Sequence, residues 1–139
     1  MERTIDMKFI RYLNLFEKIS RVRTQHCFDY NSTIVFLVEQ RDIAKSIGEA
    51  GTNIKRLSQI LERKVRIIAR PSGKEDIEKF ITAIIFPVKF KSIEVKGDSV
   101  VISAGLQSRA AIIGRNKGRL NELKKILEQY FGIKEVRIV

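Results

Sequence analysis

Apolar residues recur along this chain in two rhythms, and each rhythm appears twice. Phe9, Tyr12, Leu13, Phe16 and Ile19 fall three and four residues apart, the spacing that gathers side chains on one face of a helix. Ile77, Phe80, Ile81, Ile84 and Ile85 repeat that stripe, and Pro87 ends it because its ring removes a backbone donor and clashes with the preceding turn. Strands are expected next, near Val22–Tyr30 and Phe90–Lys96, with turns at Tyr30-Asn31-Ser32 and Lys96-Gly97-Asp98. The runs Ile34-Val35-Phe36 and Val100-Val101-Ile102 then read as further strands, being β-branched or aromatic throughout. A second helical stripe follows in each half, Ile54, Leu57, Ile60 and Leu61, then Leu120, Leu123, Ile126 and Leu127. Each half closes on a short strand, Val65–Ile68 or Val136–Val139, and the longer gap in the second half predicts a final helix one turn longer, stopped by Gly132.

The two halves superpose at an offset of 66 residues, with Ile34–Asn53 over Val100–Arg119. Asp42 falls on Ser108, and both are expected to cap a short helix, since their side chains can accept from exposed N–H groups at its start. Ile47-Gly48 falls on Ile113-Gly114. Each half therefore reads helix, strand, strand, helix, glycine turn, helix, strand. The order predicts an α/β (α+β) protein of two tandem domains, residues 1–70 and 74–139, joined by the short linker 71–73 at Pro71-Ser72-Gly73. Each domain is expected to hold a three-stranded mixed sheet covered by helices.

Charge narrows the field. With 27 Lys and Arg against 16 acids the chain carries +11, divided +6 and +5 between residues 1–73 and 74–139. An excess shared by both halves points to a polyanionic partner, nucleic acid before an anionic membrane. The 44% hydrophobic content supports packed cores rather than disorder. No apolar run approaches a membrane span, and the segment Met1–Asp6 lacks the apolar stretch of a secretory signal. The single cysteine, Cys27, suits a reducing, cytoplasmic setting.

Catalysis finds little support. His26, the sole histidine, neighbours Cys27 on an expected strand, where adjacent side chains face opposite ways. No metal-ligand spacing and no nucleotide-binding glycine loop occurs. The expectation is a protein that is not an enzyme, with no cofactor, no metal and no small-molecule substrate.

The chemistry lies in Ile47-Gly48-Glu49-Ala50-Gly51-Thr52-Asn53-Ile54. A Gly-x-x-Gly turn between two helices permits close backbone approach, and the free N–H groups at the start of the following helix suit a phosphate. With Lys55, Arg56 and Leu57 the segment resembles the signature of K-homology (KH) domains, and the helix-first order resembles their type II form. Three further segments are similar to the paired KH domains of archaeal NusA-like transcription termination factors: Ile34–Glu39, Ile113–Leu120 and Phe131–Val136. That resemblance spans the chain. It implies binding of single-stranded RNA, the nascent transcript, in transcription termination or antitermination, with RNA polymerase as a further partner. The implied RNA-binding residues are Gly48, Glu49, Ala50, Gly51, Asn53, Lys55 and Arg56 in the first half, and Gly114, Arg115, Asn116, Lys117, Gly118 and Arg119 in the second. A ribosome-associated or RNA-processing KH protein is the alternative within binding proteins, and an RNA-modifying or cleaving enzyme the alternative outside them.

Two departures from the family pattern carry physical consequences. Glu49 stands where a basic residue is common, and Lys117 occupies the fourth loop position, with glycine delayed to Gly118. Arg115, Lys117 and Arg119 make the second loop the more electropositive, so it is expected to contribute more electrostatic affinity while the first relies on backbone amides. Ile47, Ile54, Val65, Ile67, Ile113, Leu120, Val136 and Ile138 are the candidate groove residues, with ordinary core packing as the competing role for each.

Overall fold

The computed structural model describes residues 7–139, so the reading of Met1–Asp6 lies outside the described residues. The chain divides between Arg70 and Pro71 into two compact units. Among the described residues no helix is long and apolar enough to cross a membrane.

In the first unit, α1 (Met7–Ser20) places Phe16 against Phe36, the rings stacked with centroids 4.5 Å apart. The helix stops at Ser20, whose hydroxyl donates to Phe16 O at 2.7 Å and accepts from Val22 N at 3.1 Å. Arg21 then turns left-handed, φ 64°. β1 (Cys27–Tyr30) and β2 (Thr33–Val38) pair antiparallel across Asn31 and Ser32, both at positive φ, the two-residue turn whose twist matches that of a hairpin. β3 (Lys64–Ala69) pairs parallel with β2, Thr33 opposite Lys64. A parallel neighbour requires a crossover, here α2 (Ile43–Ile47) and α3 (Thr52–Leu61). Ile34, Phe36, Val38, Val65 and Ile67 face this crossover and α1, forming one core with Phe16, Leu57 and Leu61.

The second unit repeats the plan. α4 (Ile77–Ile85) buries Ile77, Phe80, Ile81, Ile84 and Ile85. β4 (Ser92–Lys96) pairs antiparallel with β5 (Ser99–Ser103), and β6 (Glu135–Ile138) lies parallel to β5. The crossover is α5 (Leu106–Ile113) and α6 (Gly118–Phe131). α6 has 14 residues against 10 in α3, and Gly132 closes it at φ 69°, the extra turn and the stop that the spacing predicts. Phe80 meets Tyr130 and Phe131 edge-on, at 5.8 and 5.5 Å. Two three-stranded mixed sheets, each flanked by helices, make the tandem KH arrangement that the resemblance implies.

Three local expectations fail, each for a visible reason. The first strand begins at Cys27 rather than near Val22 because Thr24 inserts its hydroxyl into the ladder. It donates to Leu37 O and accepts from His26 N, which would otherwise have paired with that carbonyl. His26 thus precedes β1 rather than lying on it. β4 starts at Ser92, not Phe90: β5 ends at Ser103, whose carbonyl accepts from Lys91 N, and the next amide, Ala104 N, turns to Val139 O. No ladder partner remains for Phe90. The capping roles also fail. Asp42 makes no side-chain cap bond, and Ser108 lies inside α5, which is capped by Gly105. The repeat register survives, since the 3-10 turn Gln40–Asp42 begins 66 residues before Leu106.

Phe36 is fully buried and stacked, so Phe36→Ala is expected to remove about 3–5 kcal/mol from the unfolding free energy of its unit. Urea denaturation followed by circular dichroism measures this; a loss below about 1 kcal/mol would contradict the packing described.

Candidate nucleic-acid interface

Both glycine turns reverse the chain by the same backbone path. Gly48 sits at φ 81°, ψ 162° and Gly114 at φ 74°, ψ 172°, a region that essentially only glycine enters. A Cβ on Gly48 would approach Asn53 Cγ to 2.9 Å and Asn53 N to 3.0 Å, and on Gly114 it would meet Arg119 Cγ at 2.9 Å. After one intervening residue, the next two residues are left-handed in each turn. Ala50 and Gly51 have φ 56° and 72°, and Asn116 and Lys117 have φ 55° and 61°.

This path decides which amides are available. Gly48 N bonds to Ala44 O, Gly51 N to Gly48 O and Thr52 N to Glu49 O. In the second turn Gly114 N, Lys117 N and Gly118 N are likewise engaged, by Ala110 O, Gly114 O and Arg115 O. The amides of Glu49 and Ala50, and of Arg115 and Asn116, are left outside the hydrogen bonds of the turns. Two neighbouring N–H donors on an exposed corner, at the head of a helix, can hold an anionic oxygen.

A matching clasp fixes each corner. Asn53 Nδ2 donates to Lys45 O at 3.2 Å, and Arg119 Nη1 donates to Ala111 O at 3.0 Å. Both bonds span eight residues, and the pairs are related by the same offset of 66. The side chain that opens the second helix thus grips the last turn of the first. Asn53 and Arg119, expected as direct contacts, both have a donor committed to this clasp.

The remaining expected residues lie on accessible surface. Glu49, Ala50, Lys55 and Arg56 are exposed and Gly48 and Gly51 half-buried; Arg115, Asn116, Lys117 and Gly118 are exposed and Gly114 half-buried. The delayed glycine has no backbone role, because Gly118 adopts ordinary helical angles and Lys117 takes the left-handed place of Gly51. Of the groove candidates, Val65, Ile67, Leu120 and Val136 are buried in the cores, whereas Ile47, Ile54, Ile113 and Ile138 keep accessible surface.

Sequence reasoning missed Arg41 and Lys45. They stand four residues apart and exposed on the segment leading into the first turn, and that helical spacing was a usable signal. Ion pairs among the described residues join Lys8 and Arg63 with Asp29, Arg23 with Glu17, Arg70 with Glu39, Lys96 with Glu94 and Lys134 with Glu128. Arg41, Lys45, Lys55, Arg56, Arg115 and Lys117 have no acidic partner within 4.0 Å among the described residues. Glu49 is the one acid within the two turns, and it lies in the first.

Comparison with known proteins agrees with this fold. No family model matches the chain. It is 29% identical over 134 residues to the probable transcription termination protein NusA of Methanocaldococcus jannaschii, covering 94% of this chain and 72% of that protein. The protein of the same name from Methanococcus vannielii is 28% identical, over 94% of this chain and 76% of its own length, and that from Halococcus morrhuae is 19% identical over 99% of each. The chain is similar to these NusA proteins along nearly its whole length. Among solved structures, the crystal structure of APE1850 matches 97% of this chain and all of its own, with a TM-score of 0.67 and 26% identity.

Gly51 and Lys117 offer a paired test of the backbone. A left-handed non-glycine residue costs about 1–2 kcal/mol, and a Cβ on Gly51 would meet nothing within 4 Å. Gly51→Ala is therefore expected to lower stability by about 1 kcal/mol and Lys117→Gly to raise it by up to about 1 kcal/mol. Chemical denaturation measures both, and shifts of the same sign would contradict the assigned conformations.

Proposed function

We propose that this chain is a non-enzymatic, single-stranded RNA-binding protein that engages the nascent transcript in transcription termination or antitermination. The observation that carries the reading is the repeated pairing of amides left outside the turns' hydrogen bonds, at the exposed residues Glu49–Ala50 and Arg115–Asn116, with cations that have no acidic partner among the described residues. KH modules clamp about four nucleotides at such a turn, and the relatives are named as probable transcription termination proteins. Residues 1–70 and 74–139 act as two modules on one strand, with 71–73 as the linker between them. RNA polymerase is the further partner this reading implies. Co-purification with the polymerase supports it, and co-purification with ribosomal subunits instead favours a ribosome-associated role.

The two sites divide the work differently. Site one carries its cations on the flanking helical segments, at Arg41, Lys45, Lys55 and Arg56, with Glu49 beside the amides. Site two carries Arg115 and Lys117 in the turn itself, nearest to a bound phosphate, and there a charge acts over the shortest distance.

Fluorescence anisotropy with an oligoribonucleotide tests the proposal. If each site holds about three phosphates, the slope of log K against log salt is near −4, at about 0.7 per phosphate. A flat salt response would overturn the assignment. Reversing charge at Arg115 and Lys117 is expected to weaken binding more than neutralising Lys55 and Arg56, and equal losses would contradict the division between the sites.

A further inference from the structure

The repeat breaks at one position beside the second turn. Ile43 in α2 is a partly buried hydrophobic residue packed against the first core. The residue 66 positions on is Arg109 in α5. It lies one helical turn before Ile113 and therefore on the same face, and Ile113 directly precedes Gly114. Arg109 as a whole is half-buried, yet its Nε is buried without a hydrogen-bond acceptor. No ion pair to its guanidinium forms among the described residues. A buried donor left unsatisfied is costly, and native structures retain few of them.

Resting on the RNA-binding reading above, we infer that Arg109 is the base-reading residue of the second site, taking a nucleobase that presents two adjacent acceptors. Guanine does so with O6 and N7, the pair that the planar guanidinium fork matches. Phosphate is the poorer occupant here for two reasons. The corner amides and Arg115 and Lys117 already supply an exposed anion site at the turn. Arg109 stands five residues before Gly114, about 7.5 Å along the helix axis, and its Nε is withdrawn from solvent. Single-stranded RNA leaves the Hoogsteen edge of a guanine open to such a donor. The first site, with Ile43 in this place, has no counterpart of the fork, so the two sites are expected to differ in base preference.

The test uses the full chain and three probes: a 12-nucleotide oligouridine, the same oligomer carrying one guanosine walked along its length, and the best of these with 7-deazaguanosine, which lacks N7. The wild-type chain is expected to prefer the best guanosine oligomer over oligouridine by roughly 5- to 150-fold, the worth of one bidentate base contact. Most of that preference should vanish with 7-deazaguanosine, which changes only the RNA and leaves protein folding untouched. Arg109→Lys keeps the charge and loses the fork; it should lose the guanosine preference, so that its affinities for the best guanosine oligomer and for oligouridine converge. Arg109→Ile, which installs the residue of the first site, should do the same. Absence of any guanosine preference in the wild type would overturn the inference. So would an equal loss on all probes by Arg109→Ile with a salt slope shallower by about 0.7, the mark of a phosphate contact. Failure of the wild-type chain to bind any probe would instead remove the RNA-binding reading itself.

Discussion

Each candidate site depends on a backbone reversal at a glycine, held shut by a side chain reaching back over it. At Gly48 and Gly114 the chain takes angles that a Cβ forbids, both through its own conformation and through contact with the residue that begins the next helix. The clasp from Asn53 to Lys45 O, and from Arg119 to Ala111 O, keeps the two helices from splaying. Together these constraints spend three of the amides at each corner on the turn itself and leave two neighbours outside those hydrogen bonds. Without the reversal the helix would run on and consume every donor. Without the clasp the corner would lack a fixed shape for a phosphate to meet.

The rest of the fold supplies the platform. A parallel strand beside β2, and again beside β5, obliges the chain to cross over the sheet, and the helix–turn–helix segment is that crossover. Its apolar stripes bind it to the sheet, so the turn projects from a packed core rather than from a mobile loop. Ionic chemistry is distributed accordingly. Acids pair with cations away from the turns, at Asp29, Glu39, Glu94 and Glu128, while Arg41, Lys45, Lys55, Arg56, Arg115 and Lys117 around the turns form no such pair among the described residues. Burial and charge thus separate within each unit: apolar faces fix the corner and unneutralised cations surround it.

Much of this was legible in the sequence because periodicity records burial. The helical stripes and the offset of 66 identified the elements, their order and both turns, since a core-facing residue must recur at the period of its element. Features set by single hydrogen bonds were not legible. Thr24 shortens β1 by substituting its hydroxyl for a backbone donor, and no pattern of hydrophobicity reports that. The same limit applied to Asn53 and Arg119, whose residue types suggested RNA contacts and whose geometry assigns them a structural bond. Lys117 occupies the loop position where the family pattern has glycine, and it adopts the left-handed backbone and leaves Gly118 to start the helix. Arg109 passed unnoticed because one charged residue in a helical stripe usually marks a solvated face, and only the burial of its Nε distinguishes it.

The claim that bears the most weight is that the amides of Glu49, Ala50, Arg115 and Asn116 face outward to receive an RNA backbone. Amide-resolved nuclear magnetic resonance of the full chain, titrated with a single-stranded oligoribonucleotide, addresses it directly. The account predicts that these four resonances shift first and furthest, with the already bonded amides of Gly51 and Lys117 moving less. Resonances that stay in place at both corners while the oligomer binds elsewhere would contradict it.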